Sequence, residues 1–312
     1  MIHSLFAIFI FPGFLFLCVI SLAAEFIDRK VYARLQNRVG PPWFQPLADM
    51  IKLFGKEDIM PEEANPLMFK GLPIFALAAV ATAFLYIPLW SPESLFSFDC
   101  DIIVVLYLLT LPTIAFFLAG WYSTSLYAMI GAIRSLTQLF AYEVPLFLGV
   151  LAPAIIANTW SLSGLIAFYR IHPVLAACNM LGFFVSIIAL QGKLEKVPFD
   201  IPEAETEIVA GSFTEYSGRL LAMFRMAIAM ELVVGASLFS AVFLPFGFGL
   251  PLAGAIAAYI VKIVFIILLS CLIRTLFARM RIDQMVEFCW KYLAPIALTQ
   301  ILINLLIKGM VL

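Results

Sequence analysis

LGFFVSIIALQGKLEKVPFDIPEAETEIVAGSFTEYSGRLLAMFRMAIAMELVV (residues 181–234) carries two opposed kinds of chemistry. Both ends belong to apolar runs. The middle holds six of the chain's twenty carboxylates: Glu195, Asp200, Glu203, Glu205, Glu207 and Glu215. An acidic island between membrane-spanning runs is costly unless water, partner groups or mobile protons use it. The flanks decide the fold, and the island poses the functional question.

The apolar character extends over the whole chain. Its 312 residues are 64% hydrophobic and 12% charged, with a mean hydropathy of +1.06. A soluble domain carries about 25% charged residues. The expected fold class is therefore all-α integral membrane, a single membrane domain over residues 1–312, built from apolar segments of about 20 residues. Eight such spans are read at about 3–25, 71–90, 102–122, 144–160, 173–191, 220–244, 252–273 and 293–311. The first, 4–24 at its core, is too long for a signal segment and is read as a retained helix. The run 102–133 exceeds one span, so residues 123–133 are expected to leave the membrane or lie at its surface. Pro245, Gly247, Gly249 and Pro251 mark a turn between the sixth and seventh spans.

Lysine and arginine set the expected orientation. The first, third, fifth and seventh connections hold fifteen of them, against Arg170 and Lys308 on the other side. Positive loops stay in the cytoplasm, so a multi-pass protein of the cell membrane with both termini outside is expected. The odd-numbered connections are also the long ones and are expected to carry amphipathic cytoplasmic helices. In the first, Leu47, Met50, Ile51 and Phe54 fall at helical spacing, with Gln45, Asp49 and Lys52 facing away. Such a helix lies at the interface or under a cytoplasmic partner.

Three ionisable residues sit where lipid is expected: Glu143 at the start of the fourth span, Glu231 in the sixth and Lys262 in the seventh. Groups at such depth face a protein interior or a water path. They form either a structural ion pair, Glu231 with Arg225 or Lys262, or a proton relay, since burial moves a carboxylate toward neutrality. In the island, Pro202 and the acids suit the first turn of a helix. A helix from Asp200 puts Asp200, Glu203 and Glu207 on one face, an acidic row able to store protons or pass cations. In the seventh connection, Arg274, Arg279 and Arg281 stand beside Asp283 and Glu287, as an anchor, a cavity rim or a docking patch.

The five cysteines show no CxxC pair or metal spacing, and His3 and His172 stand apart. No cofactor bound by this chain is expected. With a net charge of −1, no nucleic-acid partner is expected either.

Four blocks resemble the subunit 1 membrane family of respiratory complex I, which includes the membrane anchors of energy-converting nickel–iron hydrogenases. They are EFIDRKVYARLQNRVGPPWFQPLADMIKLFGKE (25–57), GAIRSLTQLFAYEVP (131–145), EKVPFDIPEAETEIVAGSFTEYSG (195–218) and RTLFARMRIDQMVEFCWK (274–291). The combination of RxGP, PFDxxEAExE and RxDQ is highly specific, and the resemblance covers essentially the whole chain. It implies a non-redox subunit at the joint between a soluble electron-transfer arm and an ion-moving membrane arm. It also implies an ion path through Glu143, Glu195, Asp200, Glu203, Glu205, Glu207 and Glu215, to which Glu231 and Lys262 are added from their depth. A cavity rim or docking surface would involve Glu25, Arg29, Arg38, Arg134, Arg274 and Asp283, with Arg279 and Arg281 beside them.

The implied partners are hydrogenase-like small and large subunits on the cytoplasmic side, small and antiporter-like subunits in the membrane, and lipid. Iron–sulfur clusters and a nickel–iron site would lie in those partners. Quinone-reducing members have an AEY-type segment early in the sixth span, whereas FRMAIAMEL (224–232) places Ile228 at the expected glutamate and Glu231 three residues on. TEYSG (214–218) is similar to the hydrogenase anchors. The reading is a membrane anchor and coupling subunit of a hydrogenase-like, H⁺- or Na⁺-translocating complex. The alternative is a quinone-binding subunit of a complex I NADH dehydrogenase.

Overall fold

A computed structural model describes residues 2–311 and the side chains of all of these except residues 2–4, 205, 206 and 311. The chain order is α1 Ile2–Phe9, α2 Phe14–Leu35, α3 Gln45–Phe54, α4 Pro66–Leu85, α5 Asp101–Tyr122, α6 Leu126–Ala157, α7 Leu162–Ile171, α8 Pro173–Ala177 and α9 Met180–Lys193. It continues through α10 Glu205–Ile208, α11 Gly218–Phe243, α12 Leu252–Leu276, α13 Ile282–Phe288 and α14 Ala294–Val311. No strand occurs among the described residues. Helices suit an apolar solvent because each satisfies its own backbone hydrogen bonds.

Among the described residues, seven helical segments are long and apolar enough to cross a membrane. The fifth expected span does not form one such helix. Residues 173–191 are divided into α8 and the 14-residue α9, about 21 Å at 1.5 Å per residue. The break falls at Asn179, whose amide donates to the Tyr169 hydroxyl (3.0 Å) and the Leu175 carbonyl (3.2 Å) and accepts from Asn304 (2.8 Å). A buried side chain making three hydrogen bonds outweighs simple helix continuation there.

Other boundaries shift for a common reason: charged residues end an apolar run without ending the helix. The first span is interrupted at residues 10–13, then runs on to Leu35, so Asp28, Arg29 and Arg34 are helical. Residues 126–133 form the first turns of the 32-residue α6. The bend falls earlier, at Ser123–Ser125, with Thr124 at φ 57°. Residues 282–291, expected in a connection, are continuous with the last helix through a π-turn, Cys289–Leu293. The connection before them is reduced to residues 277–281.

α11 is the axis of the molecule. Its most apolar window is 89% buried inside the protein, against 17% for α2 and 28% for the last helix. It packs against α2, α4 and α12. Helix α3 forms where the periodicity placed it and buries Pro46 and Met50. Leu47, Ile51 and Phe54 remain exposed beside Trp43 and Phe44.

The acidic stretch is the largest departure from expectation. No helix starts at Asp200; a four-residue helix, α10, and a 3₁₀ turn over Gly211–Phe213 stand instead. Pro198 and Pro202 disfavour helical conformation in the residues before them. The chain then folds back on itself: Gly211 has φ 54°, and a Cβ there would lie 1.9 Å from the Pro202 carbonyl oxygen. On α6, a Cβ at Gly131 would lie 2.6 Å from the Gly211 backbone, so the folded-back loop rests directly on that helix. Phe199, Ile201, Ala204, Ile208, Phe213 and Tyr216 are buried beneath it. Tyr216 stacks on Phe69 at 4.1 Å between centroids. The apolar residues anchor the loop while the acids point to two different places.

Candidate functional site

The middle of α2, the first half of α11, the C-terminal end of α12 and the loop that follows α9 (residues 194–203) enclose a cavity of about 420 Å³. Nine of its fourteen lining residues are ionisable: Glu25, Asp28, Arg29, Glu195, Lys196, Asp200, Glu203, Arg225 and Arg274. Helical spacing on α2 explains three of them, since Glu25, Asp28 and Arg29 are three and four residues apart. Arg29 pairs with Glu25 and, at 2.9 Å, with Asp49 of α3. The deepest anchor is Asp28. Its carboxylate accepts from Lys196 at 2.8 Å, from Arg274 at 3.3 Å and from the Cys271 thiol at 3.2 Å, while the Arg274 guanidinium stacks over Tyr32 at 3.9 Å. Arg225, exposed on one side, meets Glu203 at 3.1 Å.

Glu195 forms the inner wall. Its backbone is held at φ 51°, a region costing a non-glycine residue about 1–3 kcal/mol. Ser135 of α6 donates to its carboxylate at 2.8 Å. Burial, then the neighbouring Glu203, Glu231 and Asp200 carboxylates, push its carboxyl up to about 8 despite that hydrogen bond. A group tuned near neutrality binds and releases protons readily.

Behind this wall lies a fully buried ion pair. Lys193, at the end of α9, donates to Glu231 of α11 at 2.9 Å and also to the Leu109 carbonyl of α5. Both side chains are at most 2% exposed. Glu231 thus pairs with neither Arg225 nor Lys262, the partners considered from the sequence. The charge of Lys193 also acts on Glu143, because α6 and α9 pack together. Tyr142, bonded to Thr113 at 3.1 Å, lies within electrostatic reach of Glu231, Glu195 and Glu143.

A second cleft, of about 390 Å³, opens on the other side of the loop. It is lined by Arg134, Glu207, Arg279, Arg281 and Asp283 with three apolar residues. Glu207 accepts from Arg134 at 2.7 Å and faces Arg279 at 3.7 Å. The Arg134 hydrogen bond, followed by the charges of Arg134, Arg279 and Arg281, holds its carboxyl below the usual range.

The structure therefore brings Glu25, Arg29, Glu195, Asp200, Glu203 and Arg274 to one cavity, with Glu231 and Glu143 behind it. Arg134, Glu207, Arg279, Arg281 and Asp283 come to the other cleft. The expected acidic row of Asp200, Glu203 and Glu207 does not exist, because the backbone turn separates Glu207 from the other two. Arg38, Glu215 and Lys262 line neither site, and the side chain of Glu205 lies outside those described. The Lys262 ammonium reaches the Leu244 carbonyl at 3.3 Å and the Phe248 ring at 4.1 Å, remote from Glu231. Sequence reasoning missed Asp28, Lys193 and Lys196 as site residues. Asp28 had a signal: Leu17, Ser21, Ala24 and Asp28 form the one buried stripe of α2. Lys193 and Lys196 read as ordinary loop cations.

Fold and site together define a multi-helix membrane protein with a charge-lined cavity at one end of its bundle, backed by a buried ion pair. Comparison with known proteins narrows this class. Residues 7–305 match the family model described as NADH dehydrogenase. The chain is 34% identical over 303 residues, 92% of its length and 91% of the relative's, to the H subunit of the NADH-quinone oxidoreductase of Syntrophotalea carbinolica. It is 33% identical to NADH-quinone oxidoreductase subunit 8 of Thermus thermophilus, covering 94% of this chain and 86% of that one. A chain in the structure of the membrane-bound sulfane sulfur reductase (MBS), an archaeal respiratory membrane complex, superposes with a TM-score of 0.82 at 30% identity, covering 93% of this chain and 96% of that one. The chain belongs to the NADH dehydrogenase family, as a membrane subunit of the kind found in complex I-like respiratory complexes.

Proposed function

We propose that this chain is the membrane anchor and coupling subunit of a hydrogenase-like, ion-translocating oxidoreductase complex. The observation that carries this reading is the 420 Å³ cavity and what lies behind it. Its volume is that of a ligand pocket, yet such pockets are mostly apolar, whereas nine of these fourteen lining residues are ionisable. A charge-rich cavity backed by Glu231 and Glu143 suits ion or proton transfer better than a quinone ring. The likeness to a sulfane sulfur reductase chain supports the same choice, although the two NADH-quinone oxidoreductase relatives are named for a quinone.

In this reading, hydrogenase-like small and large subunits dock on the cytoplasmic face, over the cavity and the basic cleft. They hold the iron–sulfur clusters and nickel–iron site. Small and antiporter-like membrane subunits flank the bundle, which crosses the cell membrane eight times with both termini outside. Reduction in the soluble arm changes the charge above the cavity, and Glu195 answers by taking up or releasing a proton that passes toward Glu231 and Glu143.

Glu195→Gln and Glu143→Gln in the assembled complex should abolish redox-linked ion movement while electron turnover in the soluble arm continues. Unchanged ion movement per electron in both variants would overturn the reading. Turnover with a quinone, blocked by cavity-directed inhibitors, would favour the quinone-linked alternative.

A further inference from the structure

The end of the bundle opposite the two clefts, where α6 ends and α5 and α7 begin, also carries a buried acid. Asp101 opens α5 and is fully buried. Its Oδ1 accepts from the backbone N–H of Leu162, the first residue of α7, at 2.6 Å. Its Oδ2 is buried and has no hydrogen-bond partner among the described residues. No lysine or arginine among them forms an ion pair with it either. The sequence supplies no cation nearby: none occurs between Lys70 and Arg134, a stretch that holds Glu93, Asp99 and Asp101. Lys308 and Arg170, at the same end, are engaged elsewhere. Lys308 donates to Asn158 at 2.7 Å, and the Arg170 guanidinium lies against Gly249.

Hydroxyl oxygens surround this carboxylate. Those of Ser97 and Ser161 lie near enough to act on it, yet neither completes a hydrogen bond to Oδ2. Both reach Ser163 Oγ, at 3.1 and 2.8 Å. The segment that carries Ser161 is wound tightly, since the Ser161 N–H donates to Thr159 Oγ1 at 3.2 Å. The Ile102 N–H meets the Trp160 carbonyl at 3.4 Å and draws that segment onto α5. We propose that Asp101 Oδ2, with the hydroxyls of Ser97 and Ser161, holds one sodium ion that ties α7 to the start of α5.

Capping α7 uses one carboxylate oxygen, and an asparagine would serve for that. The second oxygen brings a charge that no protein cation balances, and burying a charge without compensation is expensive. Oxygens gathered around a carboxylate oxygen with no hydrogen bond between them suit a hard cation, which takes carboxylate, hydroxyl, carbonyl and water ligands. A single carboxylate balances a single positive charge. A divalent ion calls for more acid, and no group of three His, Cys, Asp or Glu able to hold a metal occurs among the described residues. Ser97 is exposed, so the ion enters past it and water completes its shell. The ion is held here and not passed on. The inference therefore goes beyond the coupling reading and stands without it.

The test uses the whole purified complex, with sodium chloride exchanged for choline or potassium chloride at constant ionic strength. Hydrogen exchange read by mass spectrometry follows the amides of residues 98–104 and 159–166, with α3 as the control. An ion bound only by the closed form slows local opening in proportion to its occupancy. At ten times the dissociation constant, sodium should therefore slow exchange about tenfold in those two segments, and leave α3 unchanged. Potassium should protect them less. Asp101→Asn keeps the Leu162 cap and removes the charge, so it should assemble and lose the sodium effect. Ser161→Ala removes one ligand and should raise the sodium concentration that gives half protection. Equal exchange in sodium and choline overturns the proposal, as does a sodium effect that survives in Asp101→Asn. Equal protection by potassium overturns the choice of sodium. Should Asp101→Asn fail to assemble, an unchanged half-protection concentration in Ser161→Ala overturns the site.

Discussion

Glu195 and Glu207 come from the same acidic stretch, and the fold gives them opposite characters. Glu195 sits against Ser135 among other carboxylates, and its carboxyl is pushed up to about 8. Glu207 projects into solvent between arginines, and its carboxyl is held down. One is held toward its neutral form. The other is held toward its anion and ties α10 to α6 and to the segment before α13. Side-chain type is identical, so the difference comes from the turn at Pro202 and Gly211, which sends the two residues into separate pockets. Acidic clusters are therefore better judged by which cations each member meets than by their density in sequence.

The comparison can be broken most severely from behind. Lys193→Met leaves Glu231 buried without its cation and should destabilise the protein by about 3–5 kcal/mol. Adding Glu231→Leu should recover most of that loss in detergent unfolding experiments, because the unpaired charge is gone. An additive loss in the double variant would mean that packing, not charge, holds this site. Next in size is Gly211→Ala. The left-handed backbone alone costs about 1–3 kcal/mol there, and the contact with Pro202 adds to it. Limited proteolysis should then cut between residues 195 and 215, where the native loop resists.

Smaller effects sharpen the contrast through pH. The Glu195 carboxyl rises from 4.5 to about 8 on folding, so the folded state binds the proton more tightly than the unfolded one. Its contribution is fully present below 4.5 and is lost as pH rises through about 8, with a slope of at most about 1.4 kcal/mol per pH unit. Glu195→Gln should flatten the stability profile in that window, and an unchanged profile would place the titration elsewhere. Glu207 has the opposite sign. Its contribution is present above 4.5 and is lost as pH falls through its lowered value. Being exposed, the pair with Arg134 is worth under about 1 kcal/mol, so Glu207→Gln should barely move the unfolding midpoint. A shift as large as that of Lys193→Met would show that the cleft is structural.

Composition, charge bias and apolar runs made the membrane class legible, along with most of the helices and the first-connection helix α3. They did so because lipid solvation imposes long, repetitive constraints on sequence. PFDIPEAETE and its companion blocks likewise pointed to the family that the comparisons show. Helix ends were not legible. Charges at residues 28–34 and 282–291 mark the edge of an apolar run, while the helix continues into the polar region.

The pairing of charges was decided by tertiary structure alone. Lys193 and Glu231 are 38 residues apart, and Asp28 and Arg274 are 246 apart. No periodicity links such positions; only the packing of α2, α9, α11 and α12 does. The sequence by itself determined that six acids must be accommodated among membrane helices. Which are held toward the neutral form and which toward the anion was settled by burial and by the nearest cation, properties that exist only once the chain has folded.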